Sequence, residues 1–436
     1  MRAWTPQEVA QAAGAQLVRV DADRAARGAG GGPGPARAVI DSRAAGLDDL
    51  FVGLPGERVD GGRFAAQALA QGAWGVLVAP THAAGLGEPG GVVLAAPDPL
   101  AALAALARAW RRALRAQVIG ITGSTGKTST KDVLAAMLAP HRRVVATEQN
   151  LNTEIGLPLT VLGAPPGTEV LVLEMAMRGA GQIAELARIA EPDVGVVTNV
   201  GPVHLELLGS VAGVAAAKGE LLAGLRPGAT AVVPAGEPLL TPHVAPGVEV
   251  VTFGPGGDVD EAALEAVDVG FTSAHMRLNA MAAVAAARAI GVEPAGAVTV
   301  ALSAMRGQRS PLPGGGVVID DCYNANPMSM RAALDDLALS ASGRRVAVLG
   351  DMLELGPESV TFHTQIAEHA RAAGVDVLIT VGALWDGAGQ PDLQLAAASE
   401  AAARLPGLVE AGDTVLVKGS RGVGLEVVAP ALQAAA

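Results

Sequence analysis

Short, nearly continuous apolar runs recur along this chain and alternate with longer stretches whose apolar residues return every three or four positions. The first kind reads as strands buried on both faces, and the second as helices laid across them. Together they are the pattern of parallel sheets with crossover helices. Near the start, AVIDSR, DLFVGL, GVLVA and GVVLAA predict strands and RFAAQALAQGA a helix, a small α/β unit over residues 1–96. The next segment, PLAALAALARAWRRAL, predicts a helix whose basic last turn suits the helix dipole. Over residues 97–312, VIGIT, VLVLE, VGVVTNV and TAVVP alternate with helical stretches as a central parallel sheet. RSPLPGGG breaks that pattern and reads as a link. Over 313–436, VVID, RVAVLG, DVLITVG and TVLVK predict a second, smaller, doubly wound sheet of Rossmann type. The expected fold is therefore α/β in three domains. Residues 24–38, with clustered Gly and Pro and no apolar period, read as a surface loop or insertion.

Composition narrows the class. Half of the 436 residues are hydrophobic but only 2% are aromatic, so the cores must be aliphatic. A formal net charge of -12 argues against a broad nucleic-acid surface and leaves room for a local pocket that takes a small phosphorylated ligand. A single cysteine, Cys322, excludes an intrachain disulfide and a Cys-rich zinc site and is compatible with a reducing compartment. Charges fall where a signal peptide would need its apolar centre, and no apolar run reaches about 18 residues. A cytoplasmic protein with no membrane insertion is expected.

The chemistry is densest in VIGITGSTGKTSTKDVLAAML, a strand, a Gly-rich turn and a helix in that order. Backbone N–H groups of Gly123, Ser124, Thr125, Gly126 and Ser129 can cradle phosphate oxygens, Lys127 can reach the β- and γ-phosphates, and the Thr128 hydroxyl can hold Mg²⁺. The alternative is a GKT string that merely opens a helix. Glu174 ends the strand VLVLE, and VGVVTNVGPVH runs into His204 and then Glu206, at the strand ends where α/β sheets bind ligands. A carboxylate and an imidazole beside a triphosphate suit Mg²⁺ or Mn²⁺. Taken alone, His204 reads more readily as a satisfied structural histidine, and its context shifts that balance.

A standard phosphate loop would carry its first glycine at Ile121. The shorter TGxxGKT form resembles that of the Mur ligases and their relative folylpolyglutamate synthase, and the resemblance runs through nearly the whole chain. It implies metal binding by Glu174 and His204 and carbamoylation of Lys218, fourteen residues after His204. In HMRLN it implies that Asn279 reads adenine. In IDDCYNANPMSM it implies that Asp321, Asn324 and Asn326 face the nucleotide, with Arg306 or Arg309 at the γ-phosphate. The N-terminal IDSR resembles a UDP-binding turn, Asp41, Ser42 and Arg43, and NLNTE supplies further substrate contacts, Asn150, Asn152, Thr153 and Glu154. GDMLELG, His363 and VLVKGSRG also fit, with Lys418, Ser420 and Arg421 as substrate contacts, although a KGS turn capping a helix is equally plausible.

Within the family, the DNPR and DYAHTPD-like strings of the tripeptide-forming members are absent, while NLNTEIGLPLT and YNANP are present. The resemblance is thus to the members that add D-alanyl-D-alanine to a UDP-N-acetylmuramoyl-tripeptide, using ATP and Mg²⁺ through an acyl phosphate, with a monomer expected. Thr153 in place of a frequent Asn and PAGEP in place of Asn-Asp depart from their pattern. Another Mur-type ligase, whether tripeptide-forming, amidating or of folate type, a P-loop kinase or NTPase, and an inactive binding protein are the alternatives.

Overall fold

The computed structural model describes residues 1, 3–21, 33–87 and 90–434. Residues 24–32 of the Gly/Pro-rich segment lie outside these, and its last two residues open the strand Arg37–Val39.

Three α/β units follow one another, as the apolar runs predict. The N-terminal sheet has the order Gln16–Arg19, Val92–Ala95, Gly75–Val78, Asp49–Val52 and Arg37–Val39, with only the first pair antiparallel. AVIDSR is strand only as far as Val39, and Asp41–Arg43 form the turn after it. The central sheet has six parallel strands in the order Glu249–Phe253, Thr230–Pro234, Val194–Val197, Gln117–Thr122, Val170–Glu174 and Val144–Ala146. Because these strands run the same way, Thr122, Glu174 and Val197 end at one edge, and the loops carrying the candidate chemistry meet there.

On one face of this sheet the helix Ala274–Ala289 packs on Lys127–Leu138. Its fully buried alanines, among them Ala280, Ala282, Ala283 and Ala286, carry little bulk and let the two helices approach closely. The C-terminal sheet has the order Gln308–Pro311, Val317–Asp320, Thr414–Lys418, Arg345–Gly350, Val377–Val381 and Leu393–Leu395, parallel except for the first pair. RSPLPGGG is thus a hairpin rather than a plain link, and the sheet takes in residues ahead of the 312/313 division. Gln308–Pro311 alternates half-buried and exposed positions on an edge, where Pro311 needs no ladder donor.

The units share their cores unequally. One apolar cluster runs from Val9 and Leu50 in the N-terminal unit, through Leu103, Leu106 and Trp110 of the helix Pro99–Leu114, to Leu157, Leu173 and Leu186 in the central unit. Trp4 meets Trp110 edge to face at 5.3 Å, and the Trp110 indole donates to the Ala164 carbonyl. The basic last turn of that helix reaches across rather than capping its own end: Arg111 donates to the Ala190 and Glu191 carbonyls and Arg112 pairs with Glu191. The C-terminal sheet has a separate core on each face. No helix among the described residues is long and apolar enough to cross a membrane.

Candidate active site

The strand Gln117–Thr122 delivers the chain into Gly123 (φ 152°) and Gly126 (φ 76°), and Lys127 starts the helix. Both glycines are required twice over, by backbone conformation and by crowding. A Cβ on Gly123 would lie 1.8 Å from Thr198 Oγ1, and one on Gly126 would lie 2.3 Å from Asn279 Oδ1. The loop is held from behind by the neighbouring strand's exit, where the Thr125 amide donates to Asn199 Oδ1 (2.9 Å) and the Gly201 amide to Ser124 Oγ (2.9 Å). Lys127 folds over it, donating to the Gly123 carbonyl at 2.9 Å. Desolvation pulls the Lys127 amine below the usual lysine range, with the Glu174 charge opposing and the Arg306 charge adding to the effect.

Glu174 is 2% exposed and receives three polar neighbours. Thr128 Oγ1 donates to one carboxylate oxygen and Asn152 Nδ2 to the other, both at 2.8 Å, while the Glu174 amide donates to Thr147 Oγ1. Asn152, expected at the substrate, therefore also positions the carboxylate. Lys131, on the buried side of the same helix, ties the Thr147 carbonyl at 2.8 Å.

Lys218, on the helix Val211–Ala223, is 2% exposed and makes no hydrogen bond or ion pair among the described residues. Burial, and then the Lys127 charge, pull its amine well below the usual lysine range. His204 has a left-handed backbone (φ 51°), and its Nδ1 lies 2.5 Å from Glu354 of the C-terminal unit. Burial lowers its basicity, and Glu354 opposes that. Glu206 is exposed and does not line the cleft.

These groups line one cavity of about 1180 Å³ whose opposite wall is the C-terminal unit. Of the two candidate arginines, Arg306 lines it, with its guanidinium 4.0 Å over the Tyr323 ring; Arg309 turns away to pair with Asp336 at 2.7 Å. Asp321 also lines it, paired with Lys418 at 2.7 Å; the same ammonium donates to the Asn324 carbonyl. Asn324 lines the cavity from an exposed position, and Asn326 caps the helix Pro327–Ser340 through Ser329. Ser420 accepts from the Leu353 amide at 3.0 Å, and Arg421 reaches the Met305 sulfur. Lys418, Ser420 and Asn326 thus have structural partners that short motifs do not reveal.

Asn150, Asn152, Thr153, Glu154, Ser129 and Asn279 all line the cavity. Asp41, Ser42 and Arg43 do not. Asp41 pairs with Arg43 at 2.8 Å, and that guanidinium holds its carboxyl at about 2, while Ser42 lies 3.4 Å from Gln67. Arg178, Asn199 and His275 line the cleft without having been singled out from the sequence. An arginine in EMAMRGAGQI carried no spacing signal, whereas His275, one turn before Asn279, could have been found from the helical period.

Among the described residues no three His, Cys, Asp or Glu side chains gather at metal-binding distance. Magnesium in phosphate sites takes one or two carboxylates and draws its other ligands from phosphate and water. Glu174, the Thr128 hydroxyl and His204 fit that kind of set, whereas an all-protein cage is not present among these residues.

Sequence comparison matches the Mur ligase family catalytic domain over residues 38–111, the Mur ligase middle domain over 121–287 and the Mur ligase glutamate ligase domain over 305–421. The chain is 38% identical to the UDP-N-acetylmuramoyl-tripeptide–D-alanyl-D-alanine ligase of Synechocystis, over 90% of this chain and 91% of that protein. It is 35% identical to the Bacillus subtilis enzyme of the same name, over 88% and 90%. A crystal structure of MurF from Acinetobacter baumannii superposes with a TM-score of 0.85 at 28% identity, covering 99% of this chain and 98% of that one. MurF from Thermotoga maritima, solved in complex with ADP, gives 0.77 at 30% identity, over 91% and 97%. Three matched domains, a shared architecture and relatives of this similarity over nearly their full length lead to one conclusion: the chain belongs to the Mur ligase family.

Proposed function

We propose that this enzyme joins D-alanyl-D-alanine to UDP-N-acetylmuramoyl-tripeptide at the expense of ATP, a step of peptidoglycan precursor synthesis. Relatives named for this reaction match over nearly their whole length, and one solved relative holds ADP. The observation that carries the mechanism is the cleft itself: the phosphate loop, Glu174 and Lys218 on one wall face Arg306 and Asp321 on the other.

An oxygen of the tripeptide's terminal carboxylate attacks the γ-phosphorus, the bond to ADP breaks, and an acyl phosphate forms. The amine of D-alanyl-D-alanine then attacks the acyl carbon, phosphate leaves with the C–O electron pair, and the amine loses a proton. Lys127 and Arg306 stabilise charge on the transferring phosphoryl oxygens. The opposed walls exclude water that would otherwise hydrolyse the acyl phosphate. Thr128, Glu174 and His204 would hold a magnesium ion, which would supply charge neutralisation at the phosphates.

Lys218 is suited to carbamoylation. A buried, unpaired ammonium is unfavourable, so burial favours the neutral amine. Its lone pair can attack CO₂, forming an N–C bond and releasing a proton to solvent. The product is an anion with oxygens suited to a hard cation. Asn279 is assigned to adenine, with its donor and acceptor matched to the base edge. The turn Asp41–Arg43 is assigned to the UDP end of an extended substrate, which accounts for its place away from the cleft. Use of ATP and a nucleotide-linked precursor supports a cytoplasmic location, and we assign the enzyme as a monomer.

The test is phosphate release from ATP. It should require both UDP-muramoyl-tripeptide and D-alanyl-D-alanine. Release with neither present identifies a plain NTPase, and release with glutamate as acceptor a folate-type ligase.

A further inference from the structure

The GDMLELG segment has no part in the reaction as derived, yet it is braced from several sides. The Met352 amide donates to His363 Nε2 at 2.9 Å, the Leu353 amide to Ser420 Oγ at 3.0 Å, and the Ser420 amide to the Asp351 carbonyl at 3.0 Å. His363 is fully buried, with its Nδ1 2.7 Å from the Ser359 carbonyl. Since Nε2 accepts, Nδ1 must be the donor, and the ring is locked in place. What this brace presents is Glu354, a non-glycine residue held in the left-handed region at φ 64°. Its carboxylate meets His204, 150 residues away in sequence and itself left-handed at φ 51°. Left-handed backbone is uncommon and unfavourable for such residues, and the pair holds it on both sides of the cleft.

The contact has a chemical consequence. A carboxylate only accepts, so the bond to Glu354 places the imidazole proton on Nδ1 and leaves Nε2 as a bare lone pair. Nε2 makes no hydrogen bond among the described residues, and the ring shares the cavity wall with Glu174, Thr128 and Lys218. A carboxylate behind a ligating histidine commonly fixes its tautomer and strengthens its donation.

We propose that Glu354 is a positioning residue: from the C-terminal unit it fixes His204 as the Nδ1–H tautomer and so presents Nε2 to a divalent cation only when the two units are closed. This rests on the assignment of His204 as a cation ligand. Domain closure and completion of the cation site are then one event, because the histidine comes from one unit and the group that orients it from the other.

The experiment uses the full chain labelled with ¹⁵N-histidine, with His204 identified among the seven histidines by His204→Asn. Long-range ¹H–¹⁵N spectra should show His204 as Nδ1–H. In Glu354→Ala it should shift toward Nε2–H. Mn²⁺ affinity in the presence of ADP, read by electron paramagnetic resonance, should weaken by about tenfold or more in Glu354→Ala. Glu354→Gln, whose side-chain oxygen still accepts, should keep the tautomer and most of the affinity. Melting temperature establishes that each variant is folded. An unchanged tautomer or an unchanged Mn²⁺ affinity in folded Glu354→Ala overturns the proposal, as does a loss of turnover with both unchanged, which would make the contact a mechanical clasp only. Failure of the ligase assignment would show independently, as phosphate release by the wild-type enzyme that ignores its two proposed substrates.

Discussion

Between the N-terminal and central units, Trp110 and a continuous aliphatic cluster are buried, with the half-buried Trp4 packed against them; between the central and C-terminal units, the contacts surround an open cleft. In the second junction His204 meets Glu354, and Met328 lies against Gly201. The magnitudes differ as the materials do. Burying a tryptophan of about 200 Å² at about 25 cal/mol per Å² contributes about 5 kcal/mol as an upper estimate. A half-exposed ion pair contributes about 0–1 kcal/mol. The first junction is built to stay shut, and the second can open and close at small cost. The chain between central and C-terminal units has the geometry for such movement, with Met305 (φ 58°) and Gly307 (φ 81°) both left-handed around Arg306. A ligase that must admit three substrates and then exclude water needs one junction of each kind.

The strongest way to break this contrast is Trp110→Ala. It should destabilise the protein by about 3–5 kcal/mol, lowering the melting transition of the N-terminal and central units together, while the remaining folded enzyme keeps its turnover per active site. Separate melting of those two units in the wild type would contradict the shared core. At the second junction the effect should fall on rate instead. Lys127→Ala should lower turnover by about two orders of magnitude, measured as phosphate release, with little change in melting temperature. Lys218→Ala should be nearly inactive as well, and acetate or formate should restore part of the activity in proportion to its concentration, whereas chloride at equal ionic strength should not. Rescue by chloride would point to a salt effect in place of a refilled anionic site. The smallest effect is expected of Gly307→Ala. A Cβ at φ 81° costs about 1–2 kcal/mol, and nothing lies within 4 Å of that position, so strain alone acts. Turnover and KM should change together, with melting temperature shifting by only a few degrees.

The sheets were legible because parallel strands buried on both faces are written as unbroken apolar runs, and VIGIT, VLVLE and RVAVLG need no tertiary information to be seen. The phosphate loop was legible because its chemistry is local. The choice between Arg306 and Arg309 was not, since only two residues separate them and only the hairpin Gln308–Pro311/Val317–Asp320 decides which one faces the cleft. Asn326 and Ser420 sit in strings that look like ligand contacts, yet a helix cap and a loop brace account for hydrogen bonds of theirs, and the strings alone do not tell the two roles apart. Glu354 was invisible for a different reason: its significance lies in a residue 150 positions away on another unit.

The crowding of Gly126 against Asn279 has one more consequence. The residue assigned to the base touches the loop assigned to the phosphates, and the helices bearing them, Lys127–Leu138 and Ala274–Ala289, are packed as one body. The distance from base pocket to phosphate cradle is therefore a fixed gauge inside the central unit, set before any domain moves. Such a gauge measures the nucleotide's length while the cleft is still open, so choosing the right nucleotide and committing its γ-phosphoryl group to transfer fall to different parts of the molecule and can be tuned independently by mutation.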